Sequence, residues 1–187
     1  MMKKLSCIIV GAGHRAVLYA SAFPDRIDVV GVADPSNLRR ELAARKFHLD
    51  PSQCFESAEQ LARRPKFADF VINGTMDHQH VSTSIPLLQR GYDMLLEKPF
   101  ATNKKEMWQL LETVRKTGRK VVICHVLRHT PFYAEIKRRV VEGAIGDIIN
   151  IQATEHVSYH HMAVGYVRGK WNRTDYCQST MLMAKSC

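Results

Sequence analysis

The chain has 187 residues, of which 45% are apolar, and a formal net charge of +9 at pH 7. This length is enough to bury one complete core and to begin a second, and no apolar run approaches the about 20 residues that a membrane-spanning helix needs, so we expect no membrane partner. The lysines and arginines are scattered over the polar faces and ends of predicted helices, which argues against a nucleic-acid partner.

Short apolar runs alternate with helical patterns through the first two thirds of the chain. The predicted strands are residues 5–10, 27–34, 68–75, 92–96 and 120–127. Helices are predicted between them, and Ser36, Ser57 and Asn103 are the expected caps of three of these helices. Strands that are apolar throughout need cover on both faces, so the pattern predicts a doubly wound parallel sheet over residues 1–126, which is the Rossmann type of α/β fold.

The pattern changes after residue 126. An amphipathic helix is predicted over residues 130–146, an exposed alternating strand over residues 147–157, and no periodicity over residues 158–187. One helix and one strand cannot bury a core of their own. We therefore expect residues 127–187 to be the incomplete, truncated start of an α+β second domain.

The cysteines are odd in number and widely scattered, at Cys7, Cys54, Cys124, Cys177 and Cys187. This arrangement favours reduced thiols over a disulfide framework. Because the first residues also lack the pattern of a signal peptide, we expect a cytoplasmic protein.

Histidines and cysteines late in the sequence raise the question of a metal site. His156, His160 and His161 could combine with Cys177 and Cys187. Their spacing matches no two-plus-two set of zinc ligands, and no predicted helix aligns them. We expect no metal.

The clearest ligand-binding motif is GAGHRA after the first strand, which gives G-x-G-x-x-A at Gly11, Gly13 and Ala16. The first glycine permits a tight turn, the second lets a pyrophosphate approach the backbone, and the small third residue packs the helix on the strand. The amides that open the helix, including those of His14 and Arg15, would face the phosphates. In this strand-turn-helix context, the motif predicts a site for an adenine dinucleotide.

Asp34 ends the second predicted strand, at the distance from Gly11 that dinucleotide-binding folds use. Its carboxylate could accept hydrogen bonds from the ribose hydroxyls of NAD and would repel the 2′-phosphate of NADP. Arg39 and Arg40, by contrast, could attract that phosphate. NAD is the expected cofactor, and NADP is the alternative. A purely structural glycine turn with a cap-like Asp34 is the other interpretation of the motif.

The later strands also end in polar groups, and ligands of open parallel sheets bind outside these ends. Thr75, Glu97, Lys98 and His125 lie at or near the ends of three of the predicted strands. Lys98 would lie where a nicotinamide meets its substrate, and Pro99 restricts the backbone of Lys98 and permits a cis bond. A lysine there could exchange a proton with a substrate hydroxyl or carbonyl. The alternative is an ordinary surface ion pair with Glu97.

Four further side chains are candidates for the cofactor or substrate site, and for each of them a purely structural role is the alternative. His80 either lines the cofactor cleft or lies on a helix surface. His125 either contacts the substrate or is a buried, hydrogen-bonded histidine. Arg168 and Trp171 either form a wall of the substrate cleft or only pack the second domain.

Together these residues resemble the Gfo/Idh/MocA family of NAD(P)-dependent oxidoreductases. The resemblance covers the whole chain and depends on GAGHRA, Asp34, NGTMDHQHVSTSIPLLQRGYDMLLEKPFA and RHTPFYAEIKRRVVEGAIGDIINI. The Glu97-Lys98-Pro99 element is its most specific part. The resemblance implies hydride transfer between a nicotinamide and a carbinol carbon of a sugar, polyol or derivative. It also implies a catalytic or nicotinamide-orienting role for Lys98 and a homo-oligomer for the intact protein.

The sequence departs from the family pattern near its last residues. Family members usually have an aspartate followed four residues later by a catalytic histidine. Here Ala184 matches the aspartate, and the sequence ends at Cys187 before the expected histidine. We therefore expect this chain to bind the cofactor without efficient turnover. A non-catalytic dinucleotide-binding or sensor module is the alternative.

Overall fold

A computed structural model of the chain describes residues 3–185, with side chains to residue 184. At its centre lies a six-stranded sheet in the order β3-β2-β1-β4-β5-β6, and all neighbouring strands are parallel. The strands are β1 (Leu5–Val10), β2 (Ile27–Ala33), β3 (Cys54–Phe55), β4 (Phe70–Asn73), β5 (Asp93–Leu96) and β6 (Val121–Ile123). The predicted Rossmann-type fold is confirmed.

Helices alternate with the strands. Up to residue 141 these helices are α1 (His14–Ser21), α2 (Asn37–Phe47), α3 (Ala58–Ala62), α4 (His80–Gln89), α5 (Lys104–Thr117) and α6 (Pro131–Val141). Three short helices follow, α7 (Tyr159–His161), α8 (Thr174–Cys177) and α9 (Met181–Lys185). The 3-10 turns are Pro51–Gln53, Asp77–Gln79, Val126–His129 and Lys170–Asn172, and Met162–Val167 is π-helical.

The three predicted helix caps are confirmed. Ser36, Ser57 and Asn103 each accept a hydrogen bond from the backbone amide three residues further on. These bonds satisfy amides that have no partner within the first helical turn. Helix α5 ends at Gly118, whose φ of 63° is the left-handed conformation that glycine adopts without strain.

The sheet is buried on both faces, as a parallel sheet requires. On one face, Ile8 and Val10 of β1 pack in a cluster with side chains of α3, α4 and α5. On the other face, Cys7 and Ile9 pack in a cluster with side chains of α1 and α2. Alternate residues of one strand therefore supply two separate cores, and this double cover holds the carboxyl ends of the strands in place.

Strand β6 is shorter than predicted and ends at Ile123. Its partner is β5, whose last paired residue, Leu96, lies opposite Ile123. The Cys124 amide still donates to the Leu96 carbonyl, but the chain then turns into the 3-10 segment Val126–His129. Strand β3 is missing from the sequence-based prediction because two residues show no periodicity.

The strand predicted over residues 147–157 is wrong. Residues 148–158 have no regular secondary structure, because none of the described strands lies beside them and a strand without a partner is not stable. Helix α6 fills the first part of the predicted helix and ends before Gly143. The exposed isoleucines of this region are Ile136, Ile145, Ile148, Ile149 and Ile151.

The described cysteines have free thiols, as predicted, at Cys7, Cys54, Cys124 and Cys177. Cys187 lies outside the described residues. Burial raises the pKa of Cys7 and of Cys124 to about 12. These two thiols are therefore protonated, unreactive members of the core.

Candidate functional site

The carboxyl ends of β1, β2, β4 and β5 open onto one cavity of ≈ 570 Å³. It lies where the strand order reverses between β1 and β4, which is the position where open parallel sheets bind ligands. The predicted site residues that line it are Gly11, Gly13, His14, Arg15, Asp34, Arg39, Thr75, His80, Glu97, Lys98 and Trp171. The structure therefore brings most of the predicted residues together.

The glycine turn has the geometry that its sequence predicts. Gly11 has a φ of +76°, and a Cβ on it would lie 2.7 Å from the backbone nitrogen of Thr75. A Cβ on Gly13 would meet nothing within 4 Å, so the space beside its backbone is open. Ala16 is buried, and its Cβ lies 2.8 Å from the position of a Cβ on Gly74. The turn is thus packed behind Gly11 and Ala16 and open at Gly13.

Helix α1 starts at the edge of the cavity. Its first turn has no acidic residue, and its cap, Gly13, makes no side-chain hydrogen bond. His14 and Arg15 are exposed there. The positive end of the helix dipole and its free amides therefore face the open space beside Gly13, an arrangement suited to a phosphate group.

Asp34 is almost completely buried, with 2% of its surface exposed. The Ala12 amide donates to Oδ2 and the Ser36 amide to Oδ1, each at 2.8 Å. Arg39 Nη1 lies 3.8 Å from Oδ2, while Arg40 Nη1 donates to the Asp34 carbonyl at 2.6 Å. The carboxylate therefore joins the glycine turn to the start of α2, and it holds Arg39 at the cavity.

Glu97 is buried and links two elements. Tyr19 of α1 donates its hydroxyl to Glu97 Oε1 at 2.5 Å, and the Lys98 amide donates to Oε2 at 2.8 Å. Burial, followed by this contact with the carboxylate, raises the pKa of Tyr19. The phenol therefore stays protonated and donates to Glu97 at neutral pH.

Lys98 follows directly, and its bond to Pro99 is cis, as the sequence permits. The surface ion pair that was the alternative for Glu97 and Lys98 is not formed, because Glu97 binds Tyr19 and the Lys98 backbone amide. The Lys98 ammonium instead donates to the Ala184 carbonyl. Its side chain thus spans the cavity from β5 to α9.

His80 is 1% exposed, so the helix-surface alternative is wrong. Its Nδ1 lies 2.6 Å from the Pro99 carbonyl and its Nε2 lies 3.2 Å from the Thr75 carbonyl. Burial lowers the pKa of His80. With its pKa lowered, the ring is neutral at pH 7 and has one N–H to donate, so it bonds one of these carbonyls at a time; the nearer one is that of Pro99, in the loop that carries Lys98.

Residues 159–184 form one wall of the cavity, which we call the cavity wall. Trp171 Nε1 donates to Asp77 Oδ2 at 3.3 Å, and His78 Nδ1 lies 3.1 Å from the Cys177 carbonyl. His160, Val164, Tyr166, Lys170, Tyr176 and Ala184 also line the cavity. The part of the chain without sequence periodicity is therefore built of short helical turns packed on the sheet edge.

Two predicted substrate residues do not line this cavity. His125 follows the early end of β6 and is partly exposed, so the buried alternative is also wrong. Arg168 is exposed and is not among the residues that line the cavity. Ala16 is not a lining residue either, since it packs against Gly74. Among residues 3–184, no group of three or more His, Cys, Asp or Glu side chains could hold a metal ion.

Sequence reasoning missed Tyr19, Asp77 and most of the cavity wall, of which Trp171 was the one predicted cleft residue that lines the cavity. Tyr19 lies three residues after Ala16 and hence on the same face of α1, which was the available signal. Asp77 lies two residues after Thr75, in the segment TMDHQH, but nothing nearby in sequence indicates its partner Trp171. These contacts join residues 78 and 94 positions apart.

A glycine turn between β1 and α1, an acidic residue after β2 and a cavity at the β1/β4 crossover define a dinucleotide-binding Rossmann domain. The chain belongs to the Gfo/Idh/MocA oxidoreductase family, described as having an NAD-binding Rossmann fold, whose family model matches residues 5–125. The predicted family and cofactor class are thereby confirmed.

Curated relatives include two inositol dehydrogenases. Inositol 2-dehydrogenase 4 of Saccharopolyspora erythraea is 29% identical over 153 residues, which are 77% of this chain and 43% of the relative. The scyllo-inositol 2-dehydrogenase (NAD(+)) of Bacillus subtilis is 29% identical over 157 residues, 78% of this chain and 43% of the relative. The chain thus spans about two fifths of the length of these relatives.

Two solved structures show the same fold at low identity. The NAD-binding protein from Listeria innocua superposes with a TM-score of 0.75 at 20% identity, over 98% of this chain and 52% of that one. The WlbA dehydrogenase from Bordetella pertussis, crystallised with NADH and UDP-GlcNAcA, gives a TM-score of 0.71 at 20% identity, over 77% and 44%. Within residues 3–185, no helix has the length and apolarity needed to cross a membrane.

Proposed function

We propose that the protein is an NAD-dependent oxidoreductase acting on a carbinol carbon of a sugar, a polyol or a derivative of these. The observation that carries this proposal is the alignment of the open Gly13 turn, Asp34, Thr75 and Lys98 along one cavity at the strand ends. Support for the substrate class comes from the relatives, which include inositol dehydrogenases.

The residues present fit a dinucleotide. The amides at the start of α1 would hold the pyrophosphate in the open space beside Gly13, and Asp34 would lie at the adenosine end. Thr75, Glu97 and Lys98 would surround the nicotinamide end. When bound, the nicotinamide supplies the hydride acceptor or donor, and the protein supplies position and proton transfer.

NAD is favoured over NADP by the arrangement at Asp34. Its carboxylate lies at the cavity and would repel a 2′-phosphate, and it also neutralises part of the charge of Arg39, at 3.8 Å. Arg40 is bonded to the Asp34 carbonyl and is not a lining residue. The cationic pair that could have attracted the phosphate is therefore occupied.

Lys98 is the residue that we assign to proton transfer. Its ammonium reaches the cavity, where it could exchange a proton with the oxygen of the reacting carbinol. Tyr19 through Glu97, and His80 through Pro99, fix the backbone from which this side chain extends. Their role is to position Lys98.

We keep the division into a cofactor domain of residues 1–126 and the beginning of a substrate domain from residue 127. Support comes from the exposed apolar side chains of residues 132–151, which lack a core of their own. We assign cofactor binding to the 187-residue chain described here. We assign efficient turnover and oligomerisation to a protein of the relatives' length.

A non-catalytic dinucleotide-binding module is the second candidate. The hydrogen bond from the Lys98 ammonium to the Ala184 carbonyl favours it, because this contact engages the one amine that we assign to chemistry. Turnover would require the bond to be exchanged for one to the substrate. Steady-state assays with NAD and a panel of polyols and aldoses, run on a protein extended to the relatives' length, distinguish the two candidates.

A titration of NADH fluorescence tests the cofactor site, with Gly13→Asp as the variant. Gly13 has φ −75° and ψ 173° at the helix cap, where aspartate is a favourable residue. The variant should therefore fold with equal or higher stability, yet bind NADH at least about ten-fold more weakly, because the carboxylate occupies the phosphate position.

Gln109→Glu is the matched control, since it adds the same charge on the exposed surface of α5. It should bind NADH like the unmodified chain. Undiminished NADH binding by Gly13→Asp, or the absence of saturable binding by the unmodified chain, would remove the cofactor proposal.

A further inference from the structure

The end of the cavity that the cavity wall forms, where it meets Lys98 and Asp77, is built largely from side chains that the cofactor proposal does not use. The cavity wall is attached to the sheet edge by the bonds of Trp171 to Asp77, of His78 to Cys177 and of Lys98 to Ala184. Three hydrogen bonds from separate points hold the wall against the Rossmann domain. This end of the cavity is therefore a formed surface with a definable chemistry.

Its acidic groups are already engaged. Asp77 is 5% exposed and accepts from Trp171, and Glu97 is 9% exposed and accepts from Tyr19 and the Lys98 amide. Both carboxylates face partners inside the protein. Neither is an open acceptor for the hydroxyl groups of a neutral polyol.

The remaining charge at this end is cationic. Lys98 and Lys170 line the cavity, together with the imidazole of His160. Lys170 is exposed to solvent, so its charge is available to a ligand that enters the cavity. A ligand bound here would meet positive potential that the buried carboxylates do not cancel.

Aromatic rings lie among these cations. Trp171 is partly buried and is held by the bond of its Nε1 to Asp77, and Tyr166 and Tyr176 line the same wall. The ring of Tyr176 packs against His78 with centroids 6.3 Å apart. Flat apolar rings beside hydrogen-bonding cations suit the apolar face of a sugar ring that carries a charged substituent.

We propose that this end of the cavity takes a sugar bearing a carboxylate, such as a uronate, in preference to a neutral polyol. The inference rests on the proposed function and defines its substrate class. Lys170 pairs with the carboxylate, the ring of Trp171 covers one face of the sugar, and Lys98 meets the reacting hydroxyl.

Isothermal titration of the chain saturated with NADH tests the inference, after the NADH titration has shown that the cofactor site is formed. D-glucuronate and D-glucuronamide form a pair of nearly equal size and shape, in which a charged carboxylate is replaced by a neutral amide. We expect glucuronate to bind at least about five-fold more tightly, the size of a well-placed, partly exposed ion pair. Lys170→Gln should abolish this preference, and Lys137→Gln, on the exposed surface of α6, should keep it.

Two further ligands separate the inference from other anion sites. The Lys170→Gln variant should bind ADP-ribose with the same affinity as the unmodified chain, because the proposed pyrophosphate position is at the start of α1. Weaker binding of ADP-ribose by the variant would assign Lys170 to the cofactor site and overturn the inference. Glucose 6-phosphate binding in place of glucuronate would also overturn it.

Equal binding of glucuronate and its amide, or a preference that survives Lys170→Gln, would refute the carboxylate subsite while leaving the cofactor proposal intact. Failure of NADH itself to bind would refute both.

Discussion

Tyr19 and Glu97 form the most direct link between the glycine-turn helix and the element that carries Lys98. Their 2.5 Å hydrogen bond joins a phenol to a buried carboxylate. We expect Tyr19→Phe to lower the free energy of unfolding by about 1.5–3 kcal/mol, because it removes a hydrogen bond to a charged group that water cannot readily replace. Urea denaturation measures this change.

Tyr133→Phe provides the comparison. Tyr133 lies on α6 and is 44% exposed, so loss of its hydroxyl should change stability by less than about 0.5 kcal/mol. Similar losses in both variants would mean that the Glu97 contact contributes nothing specific.

His80 makes stability depend on pH. Burial holds its folded-state pKa below the unfolded value of about 6.5. The unfolded chain therefore binds more protons below that pH, and the contribution of His80 to stability is present at neutral pH and is lost as the pH falls. The slope for one such group is at most about 1.4 kcal/mol per pH unit.

His80→Asn isolates this contribution, since the amide nitrogen of asparagine can still donate to the Pro99 carbonyl. Between about pH 7 and about pH 5, urea unfolding should show a larger loss of stability for the unmodified chain than for the variant. Parallel pH profiles would show that His80 does not titrate differently in the folded state.

At the scale of elements, α1 meets β4 at Ala16 and Gly74. A Cβ on Gly74 would lie 2.8 Å from that of Ala16, so Gly74→Ala must push the helix away from the strand end. We expect a loss of about 1–3 kcal/mol in the free energy of unfolding, the usual cost of overpacking.

The double variant Ala16→Gly with Gly74→Ala tests whether this contact is the cause. Ala16→Gly alone should cost about 1 kcal/mol of helix propensity. The loss in free energy of unfolding of the double variant should then be smaller than the sum of the two single losses by at least about 1 kcal/mol. Simple additivity would place the strain elsewhere.

Elements with their own local signals could be predicted from the sequence. The caps Ser36, Ser57 and Asn103 each act within one helical turn, and β1 and β2 are the two longest strands and consist mostly of apolar residues. The predicted strand over residues 147–157 failed because alternation shows which side chains could share a face, not whether a neighbouring strand exists. Strand β6 stopped early for the same reason, since β5 ends at Leu96.

At the scale of the whole molecule, stability should be unevenly distributed. Residues 148–157 have no regular structure, and 96% of the surface of Ile149 is exposed to solvent. Ile8 and Ile9 of β1, in contrast, are fully buried. Hydrogen exchange followed by mass spectrometry should show no protection over residues 148–157 and protection close to the global free energy of unfolding in β1 and β4.

Dilution of the sample provides the control for that measurement. Protection over residues 148–157 that persists at low protein concentration would contradict the absence of structure there. Protection that appears only at high concentration would indicate association through the exposed isoleucines.

The candidate site could be predicted only where distant residues share a common edge. Gly11, Gly13, Asp34 and Lys98 each follow a strand, and the parallel topology brings such ends together. The bonds of Tyr19 with Glu97 and of Trp171 with Asp77 depend on helix rotation and on the path of the cavity wall. The spacing of Tyr19 from Ala16 indicates its face of α1 but not its partner Glu97, and no local pattern encodes the path of the cavity wall.

The loop that carries Lys98 is attached to α1 through Tyr19 and to α4 through His80, and these helices cover opposite faces of the sheet. The separation between the phosphate end and the lysine end of the cavity is therefore set before any ligand arrives. A covalently joined molecule of matching length gains from this rigidity, because binding at one end raises the effective concentration at the other. AMP and nicotinamide mononucleotide, supplied as separate molecules, would lose that advantage and bind far more weakly than their joined form.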